Sequence, residues 1–383
     1  MRRSNSIAVK TRSATRNSSR FSAVPVSLKE TPIKVSVEKR PPQRPQRPQR
    51  NHGELIQSLP KRMARFRRAL LGWYVQNRRD LPWRRTRDPY AIWLSEIMLQ
   101  QTRVAAVLEH YRIFLERFPD VAALAAASED AVLAAWSGLG YYRRARMLHQ
   151  CAREIVERNG GRFPENSEAL QELPGIGRYT AAAIASIAFA EPVAVVDGNV
   201  ERVLHRITGS DLTARQCWER AEELLSKSRP GDFNQAMMEL GATVCLPREP
   251  RCLVCPVRQW CVTQGETQRQ KTPLRQKRRE IWCALERRDG RVRLVKRPKK
   301  ASLMAGMWEL PQWAELPHAS ASEAHWRTFR HSITVTDYRV HVLRDWKVKG
   351  CLPARGEWVA IDKIPQLPIT GLTRKFLKAG GII

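Results

Sequence analysis

Four closely spaced cysteines constrain this chain more tightly than any other feature. The run Cys245-x6-Cys252-x2-Cys255-x5-Cys261 places all four within 17 residues. Soft thiolates grouped in this way predict a shared metal centre, either an iron–sulfur cluster or a zinc ion. A structural zinc site usually pairs two short knuckles, whereas here only Cys252 and Cys255 form one. The spacing therefore favours the larger cluster over the single ion.

The charge balance favours a polyanionic partner. The 383 residues include 67 Lys and Arg against 37 Asp and Glu, which gives a formal net charge of +30. Basic side chains neutralise phosphates and release their counterions, so nucleic acid is the partner that this excess suggests. The sequence contains neither an apolar run long enough to span a bilayer nor a secretory signal near its start, so no membrane partner is expected. Clustered cysteines without a disulfide framework suggest a reducing compartment.

The pattern of apolar residues predicts four regions. Residues 1–52 are rich in Arg, Pro and Gln and are expected to be a disordered basic arm, although a transit segment or a misassigned start would suit the same composition. Alanine- and leucine-rich amphipathic runs over 53–265 predict an all-α domain, with a cluster loop at 245–261. A polar, basic linker is predicted at 266–280, and 281–383 has the pattern of a small α+β domain. The strands predicted there are Ile281–Leu285, Arg291–Lys296, Tyr338–Leu343 and Glu357–Ile361.

A glycine-rich turn between two helical runs predicts an anion site. Gly175 and Gly177 lie two residues apart, just before a helix of small residues. Glycines at this spacing let the backbone turn tightly and bring N–H groups to the start of the following helix. Such a site suits a DNA phosphate and carries no sequence preference.

Two carboxylates stand out as candidates for acid–base work. Glu96 lies in a nearly all-apolar helical segment, where burial would raise its pKa and let it act as a general acid. The alternative is that Glu96 lies at the exposed edge of an otherwise buried helix and is an ordinary surface glutamate. Asp197 ends an apolar run and could simply cap the helix that follows. Together the pair would suit glycosidic cleavage, because an anion stabilises an oxocarbenium-like state.

These residues and several further motifs resemble the helix–hairpin–helix glycosylase superfamily, and within it the MutY-type adenine DNA glycosylases. The resemblance covers about residues 60–265. The matching segments are Leu81–Arg84, Trp93–Thr102, Gly138–Tyr142, Leu173–Thr180, Val196–Val200, Phe233–Met238 and the four cysteines. Since they occur together and in the family's order, the resemblance is specific.

The resemblance implies roles for individual residues. Glu96 would protonate the adenine, Asp197 would stabilise the sugar cation, and Asn199 would support the site. Tyr179 stands where the related endonuclease III type carries a nucleophilic lysine. Because a phenol cannot form a Schiff base with the sugar, the resemblance implies a monofunctional enzyme.

The resemblance also implies how the substrate is held. Trp83, Arg84 and Gln235 would line the adenine pocket. Gln101 and Tyr141 would enter the base stack, where inserted groups help to offset the cost of flipping a base. The four cysteines would hold one 4Fe-4S cluster.

The C-terminal region resembles the family's Nudix-like lesion-recognition domain, most clearly at Gly306–Pro311. It lacks the acidic metal-binding helix of a Nudix hydrolase, so hydrolysis there is not expected. Many relatives carry a Phe-Ser-His loop that contacts 8-oxoguanine, whereas this chain has Ile333-Thr334-Val335. The hydrogen bonds are expected to come instead from Ser332, from Thr334 or from the backbone.

The resulting hypothesis is base-excision repair by a multidomain enzyme. An all-α glycosylase domain with an iron–sulfur cluster loop would be followed by the α+β Nudix-like domain. The expected substrate is double-stranded DNA with adenine opposite 8-oxoguanine or guanine, and the expected state is a monomer. A bacterial enzyme would be in the cytoplasm at the nucleoid, and a eukaryotic one in the nucleus or an organelle. The alternatives are a bifunctional glycosylase/lyase of endonuclease III type and a zinc-stabilised DNA-binding module without activity.

Overall fold

A computed structural model provides the fold. It describes residues 52–266, 277–315, 324–333, 336–344 and 356–383, with side chains of the first helix described from residue 61 onward. The described residues from 52 onward belong to one compact unit. The predicted basic arm lies outside the described residues, except that His52 already belongs to the first helix.

Helices make up the first part of the described chain. Their bounds are α1 His52–Asn77, α2 Pro89–Leu99, α3 Val104–Arg117, α4 Val121–Ala126, α5 Glu129–Ala135, α6 Arg143–Asn159, α7 Ser167–Gln171, α8 Arg178–Ala188, α9 Gly198–Thr208, α10 Ala214–Leu224 and α11 Pro230–Thr243. Short polar side chains cap many of their N-termini; the carboxylate of Asp88, for example, accepts the first N–H groups of α2. No helix in the described ranges combines the length and apolar character that a bilayer crossing requires.

Two apolar cores hold these helices together. The first core is formed mainly by α2 to α8 and includes the fully buried Trp93 and Trp136. The second joins α1 to α9, α10 and α11, with Tyr74 and Leu240 at its centre. The helices around each core form one helical lobe. Polar side chains of α2 and α8 from the first lobe therefore face those of α9 and α11 from the second.

Helix α11 packs unusually close to its neighbours because of two glycines. A Cβ on Gly231 would lie 2.6 Å from the carbonyl oxygen of Ser186 at the end of α8. A Cβ on Gly241 would lie 2.6 Å from the Cβ of Asn199 at the start of α9. Both distances are shorter than van der Waals contact allows, so a side chain at either glycine would push α11 away from α8 and α9.

The C-terminal part is α+β, as predicted. Its strands are β1 Lys277–Leu285, β2 Arg287–Arg288, β3 Arg291–Lys296, β4 Trp308–Glu309, β5 Gln312–Trp313, β6 His325–Ile333, β7 Thr336–Arg344 and β8 Gly356–Ala360, followed by helix α12 Gly371–Ala379. One sheet has the order β5-β1-β7-β6, and a second joins β2, β3 and β4 with β8 beside β3. Among the strand pairs in the described ranges, β1–β7 is parallel and the others are antiparallel.

The predicted linker at 266–280 extends too far. Lys277 to Glu280 already belong to β1 and pair in register with Thr336 to Arg339 of β7. Residues 267–276 lie outside the described ranges. These four residues of β1 are exposed on both faces, so they lack the alternation of apolar and polar residues that marks a strand. Their basic composition therefore suggested a linker.

The α+β part packs directly on the helices. Met307 is fully buried and belongs to the first helical core. Ser137 donates a hydrogen bond of 2.9 Å to the carbonyl oxygen of Ile369 and accepts one of 3.0 Å from Arg374. These contacts fix the β-sheets beside the loop that precedes α6.

The packing of α11 gives a stability prediction. Gly241→Ala should lower the free energy of unfolding by about 1–3 kcal/mol, because the methyl group meets the backbone and Cβ of Asn199. Gly72→Ala is the matched control, since a Cβ at this exposed helical position meets nothing within 4 Å in the described structure. It should raise the free energy of unfolding by about 0.5–1 kcal/mol. Urea unfolding of both variants measures the difference; equal changes would contradict the packing.

Candidate active site

A cavity of about 610 Å³ opens between the two helical lobes. It is bounded by α2, α8, α11 and the start of α9. Eight residues singled out in the sequence line it: Trp83, Arg84, Glu96, Gln101, Tyr179, Asp197, Asn199 and Gln235. Residues far apart in the chain thus meet around a space of the size that small ligands occupy.

Glu96 is the buried acid of this cavity. Its side chain is on α2, and the residue is only 7% exposed. Burial, together with the nearby Asp197, raises the pKa of Glu96 to about 7, although a hydrogen bond from Tyr179 and the charge of Arg84 work in the opposite direction. The exposed-edge alternative for Glu96 is therefore wrong, and the carboxyl group can hold a proton near neutral pH.

Tyr179 is the hydrogen-bond partner of Glu96. Its hydroxyl group donates to Oε2 of Glu96 at 2.6 Å. Burial and the neighbouring carboxylates raise the pKa of Tyr179 well above its ordinary value. The phenol therefore remains a neutral donor and fixes the direction of the carboxyl group.

Asp197 is the N-cap of α9 and also faces the cavity. Its Oδ1 accepts hydrogen bonds from the backbone N–H groups of Asn199 and Val200, at 2.9 and 2.7 Å. Its Oδ2 accepts one of 2.8 Å from the side chain of Asn199. The capping role considered from the sequence is correct, and the same bonds hold an anion at the cavity wall.

The remaining wall is formed by aromatic and amide side chains. Trp83 is buried edge-on against Tyr111, with ring centroids 5.3 Å apart. Gln235 accepts a hydrogen bond of 3.1 Å from the hydroxyl of Tyr74, which fixes the orientation of its amide. That amide can still donate through its nitrogen.

Sequence reasoning missed Glu239, a second buried carboxylate at this cavity. It is 0% exposed and receives hydrogen bonds from Arg79 and Arg84. Burial by itself would raise the pKa of Glu239, but those hydrogen bonds lower it to about 2. The signal available was its helical spacing, because Glu239 lies four residues after Gln235 and so on the same face of α11.

Sequence reasoning also missed Arg202, which connects Asp197 and Asn199 to the cysteine loop. Its Nη2 donates to Oδ1 of Asn199 at 2.9 Å, and its Nε donates to the carbonyl oxygen of Cys245 at 2.8 Å. Because Arg202 follows Asn199 by about one helical turn, its contact with Asn199 could be predicted from the sequence, whereas its contact with Cys245 could not.

Gln101 and Tyr141 lie on two strained turns held by one arginine. Both residues are exposed and have positive φ, 55° and 45°, which is uncommon outside glycine. The guanidinium of Arg144 donates to acceptors of both turns. These acceptors are the carbonyl oxygens of Ile97, Met98, Gln100, Leu139 and Gly140 and the hydroxyl of Thr102.

Helix α2 ends within the matching segment Trp93–Thr102 for the same reason. Helix α2 stops at Leu99, and Gln100 leaves the helical conformation with ψ of 113°. Arg144 takes up the carbonyl groups that the end of the helix leaves unpaired. The chain is therefore free to turn Gln101 toward the mouth of the cavity.

A second cavity, of about 730 Å³, lies beside the first. Its lining includes Gln101 and Tyr141 from the helices, Gly175 from the glycine-rich turn and Ser332 from β6. Ser332 is exposed and donates a hydrogen bond of 2.5 Å to Asp337. Thr334 and Val335 lie outside the described residues. Leu303 and Met304 also line this cavity, and no sequence motif indicated them.

The glycine-rich turn has the geometry that its sequence predicted. Gly175 has a φ of +80°, and a Cβ there would lie 2.9 Å from Met147. Gly177 is the N-cap of α8 in an extended conformation and provides no side-chain cap. The first N–H groups of α8 therefore remain available to an anion.

The four clustered cysteines surround a small cavity of their own. Cys245, Cys252, Cys255 and Cys261 are free thiols, and all four line it. Arg206 donates to the Sγ of Cys245 at 3.3 Å, and the backbone N–H of Gln264 points to the Sγ of Cys261 at 3.4 Å. In the described ranges no three His, Cys, Asp or Glu side chains converge tightly enough to hold a single ion.

Comparisons with known proteins agree with this architecture. Residues 94–227 match the family described as HhH-GPD superfamily base excision DNA repair protein, and residues 281–379 match the NUDIX domain. The solved structure of a thermostable thymine-DNA glycosylase is similar, with 33% identity and a TM-score of 0.51 over 54% of this chain and 98% of that one.

Curated relatives are adenine DNA glycosylases. The human protein is 51% identical over 51% of this chain and 39% of its own length. The protein from Arabidopsis thaliana is 41% identical over 64% of this chain and 47% of its own length. The chain thus spans less than half the length of these two relatives.

Fold, site and matches together define the class of protein. The chain is a member of the helix–hairpin–helix superfamily of base-excision DNA repair proteins. The two matched regions follow one another along the chain, and the chain is similar to adenine DNA glycosylases such as the human and Arabidopsis thaliana proteins.

The raised pKa of Glu96 predicts a pH-dependent stability difference. Between its unfolded pKa of about 4.5 and its folded pKa of about 7, the folded protein binds the proton more tightly than the unfolded chain, so stability falls as pH rises. Glu96→Gln removes this loss. The free energy of unfolding of Glu96→Gln should therefore equal that of wild type at about pH 4 and exceed it by on the order of 3 kcal/mol at about pH 8.

Urea unfolding at both pH values measures this gain. Glu157→Gln, at an exposed position on α6, is the control and should show no gain that grows with pH. Parallel stability curves for wild type and Glu96→Gln would show that the carboxyl group titrates as it does in water.

Proposed function

We propose that this protein is a monofunctional adenine DNA glycosylase that removes adenine mispaired with 8-oxoguanine or guanine. The observation that carries the proposal is the buried carboxyl group of Glu96. It holds a proton near neutral pH and faces the same cavity as the anion of Asp197. A proton donor and a fixed anion around one small cavity are what cleavage of a purine N-glycosidic bond requires.

In the proposed reaction the adenine is flipped into the cavity. Glu96 transfers its proton to a ring nitrogen of the base, and the bond between that base and the sugar breaks with its electrons going to the base. Asp197 stabilises the positive sugar that remains. Water then adds to the sugar and loses a proton to a carboxylate, which leaves free adenine and an abasic site.

Tyr179 favours the monofunctional reaction over the lyase alternative. A lyase needs an amine that attacks the sugar, and among the described residues that line the cavity there is no lysine. The hydroxyl of Tyr179 is instead committed to Glu96. Trp83, Arg84 and Gln235 would form the walls that contact the base, with Asn199 holding Asp197 in place.

The second cavity is proposed to receive the base opposite the adenine. Gln101 and Tyr141 stand at its edge in strained, exposed conformations and would fill the space that the flipped base leaves. Ser332 also lines this cavity, and its hydroxyl would contact 8-oxoguanine. Thr334, expected to help, lies outside the described residues.

The surfaces around the cavity suit duplex DNA. The N–H groups near Gly175 and Gly177 would bind a phosphate without reading sequence. Exposed arginines of the cysteine loop, Arg248, Arg251 and Arg258, would add further positive charge. We expect a monomer that acts wherever its DNA is, at the nucleoid in a bacterium or in the nucleus or an organelle in a eukaryote.

We also propose that the four clustered cysteines hold one 4Fe-4S cluster. Four free thiols line one cavity, and only Cys252 and Cys255 have the short spacing of a zinc knuckle, so the set fits a cluster better than a single zinc ion. The donors from Arg206 and the Gln264 amide would stabilise negative thiolates. When bound, the cluster would supply structural support for the loop, and no catalytic step depends on it.

Single-turnover assays on duplexes with A:8-oxoguanine, A:G and A:C pairs test the activity. We expect free adenine from the first two, with strand cleavage only after alkali. Glu96→Gln should lower the rate by roughly a hundredfold or more, because the leaving base loses its acid. Glu157→Gln should keep the wild-type rate. Direct nicking with an adduct trapped by borohydride would favour the lyase alternative.

Metal analysis of anaerobically purified protein tests the cluster. Wild type should contain about four iron atoms per chain and absorb visible light. Cys255→Ser should lose most of the iron, whereas Cys217→Ser should keep it, since Cys217 is buried in the second helical core and does not line the cysteine cavity. A colourless wild type with one zinc per chain would contradict the assignment.

A further inference from the structure

Glu239 is an anchor for two cations at the wall of the active-site cavity. Its carboxylate accepts hydrogen bonds from Nε and Nη2 of Arg79, at 2.8 and 2.6 Å, and from Nη2 of Arg84 at 2.8 Å. The backbone N–H of Arg79 adds a fourth, at 3.0 Å. A carboxylate with 0% exposure and this many donors is fully ionised and rigidly placed.

The two arginines differ in their position. The side chain of Arg79 is 39% exposed, whereas that of Arg84 is 9% exposed and faces the cavity. The Nη1 of Arg84 donates to the carbonyl oxygen of Arg79 at 3.1 Å, and its guanidinium lies 5.6 Å from the ring centroid of Tyr74. Arg84 therefore has one fixed orientation, although its backbone lies in a short 3-10 turn, Pro82–Arg84.

A fixed cation at this wall works against the proposed chemistry, because it favours the ionised form of Glu96. Arg84 is close enough to Glu96 to lower its pKa, while burial and Asp197 raise it. Tyr179 also acts on Glu96, as a hydrogen-bond donor. Without Glu239, the guanidinium group of Arg84 would stand unneutralised beside Glu96 and favour loss of its proton.

We propose that Glu239 is a positioning residue that holds Arg84 against the flipped base and neutralises enough positive charge for Glu96 to stay protonated. The inference rests on the proposed glycosylase function. Arg84 offers only hydrogen-bond donors, so it would recognise the acceptor nitrogens of a purine ring. Glu239 thereby allows one cavity to contain both a cation that recognises the base and an acid that protonates it.

The pH dependence of the single-turnover rate tests this role. Glu239→Gln keeps the shape of the side chain and removes its charge. The midpoint of the alkaline limb, which is set by Glu96, should move to lower pH by roughly half a unit or more. Arg79→Gln removes a positive charge instead and should move the midpoint to higher pH. The double variant should return it toward wild type, since the net charge of the group is restored.

Opposite shifts distinguish electrostatic positioning from a loss of structure. A purely structural role would lower the rate of Glu239→Gln equally at every pH and leave the midpoint unchanged, and that result would overturn the inference. If Glu239→Gln does not fold, the partly exposed Arg79→Gln variant decides, because an unchanged midpoint there also overturns it. Glu157→Gln should leave both rate and midpoint as in wild type. A wild type that releases no adenine would refute the proposed function instead.

Discussion

The burial of one carboxyl group, that of Glu96, determines how the cavity around it is built. Glu96 lies on an apolar helix, where ionisation is costly, and the hydroxyl of Tyr179 directs it into the cavity. The hydrogen bond from Tyr179 reduces the free-energy cost of ionising Glu96 but does not abolish it. A stronger or additional donor would return the pKa to that of an ordinary glutamate, and no donor at all would leave the group without a fixed direction.

The surrounding elements keep this balance by close packing and paired charges. The glycines of α11 allow Gln235 and Glu239 to approach α8 and α9, so that two helical lobes enclose a single cavity. Hydrogen bonds hold Asp197 at the start of α9, and Arg202 connects that turn to the cysteine loop. A cluster in the loop would therefore support the site through the backbone of Cys245 rather than through contact with the substrate.

The sequence predicted what depends on local pattern. Helical periodicity, the alternation in β3 and the spacing of the cysteines each involve neighbouring residues, and Glu96 stands out because its own helix is apolar. The contacts of Glu239 and Arg144 join residues from distant segments, which a single sequence does not reveal. Basic residues at the start of β1 suggested a linker because pairing with β7, rather than burial, makes them a strand.

Infrared difference spectroscopy can observe the protonation of Glu96 itself. The spectrum of wild type minus that of Glu96→Gln isolates the C=O stretch of a protonated Glu96. This band should persist at mildly acidic pH and disappear with a midpoint at about pH 7. A band already lost at about pH 5, as for a glutamate in water, would contradict the raised pKa of Glu96.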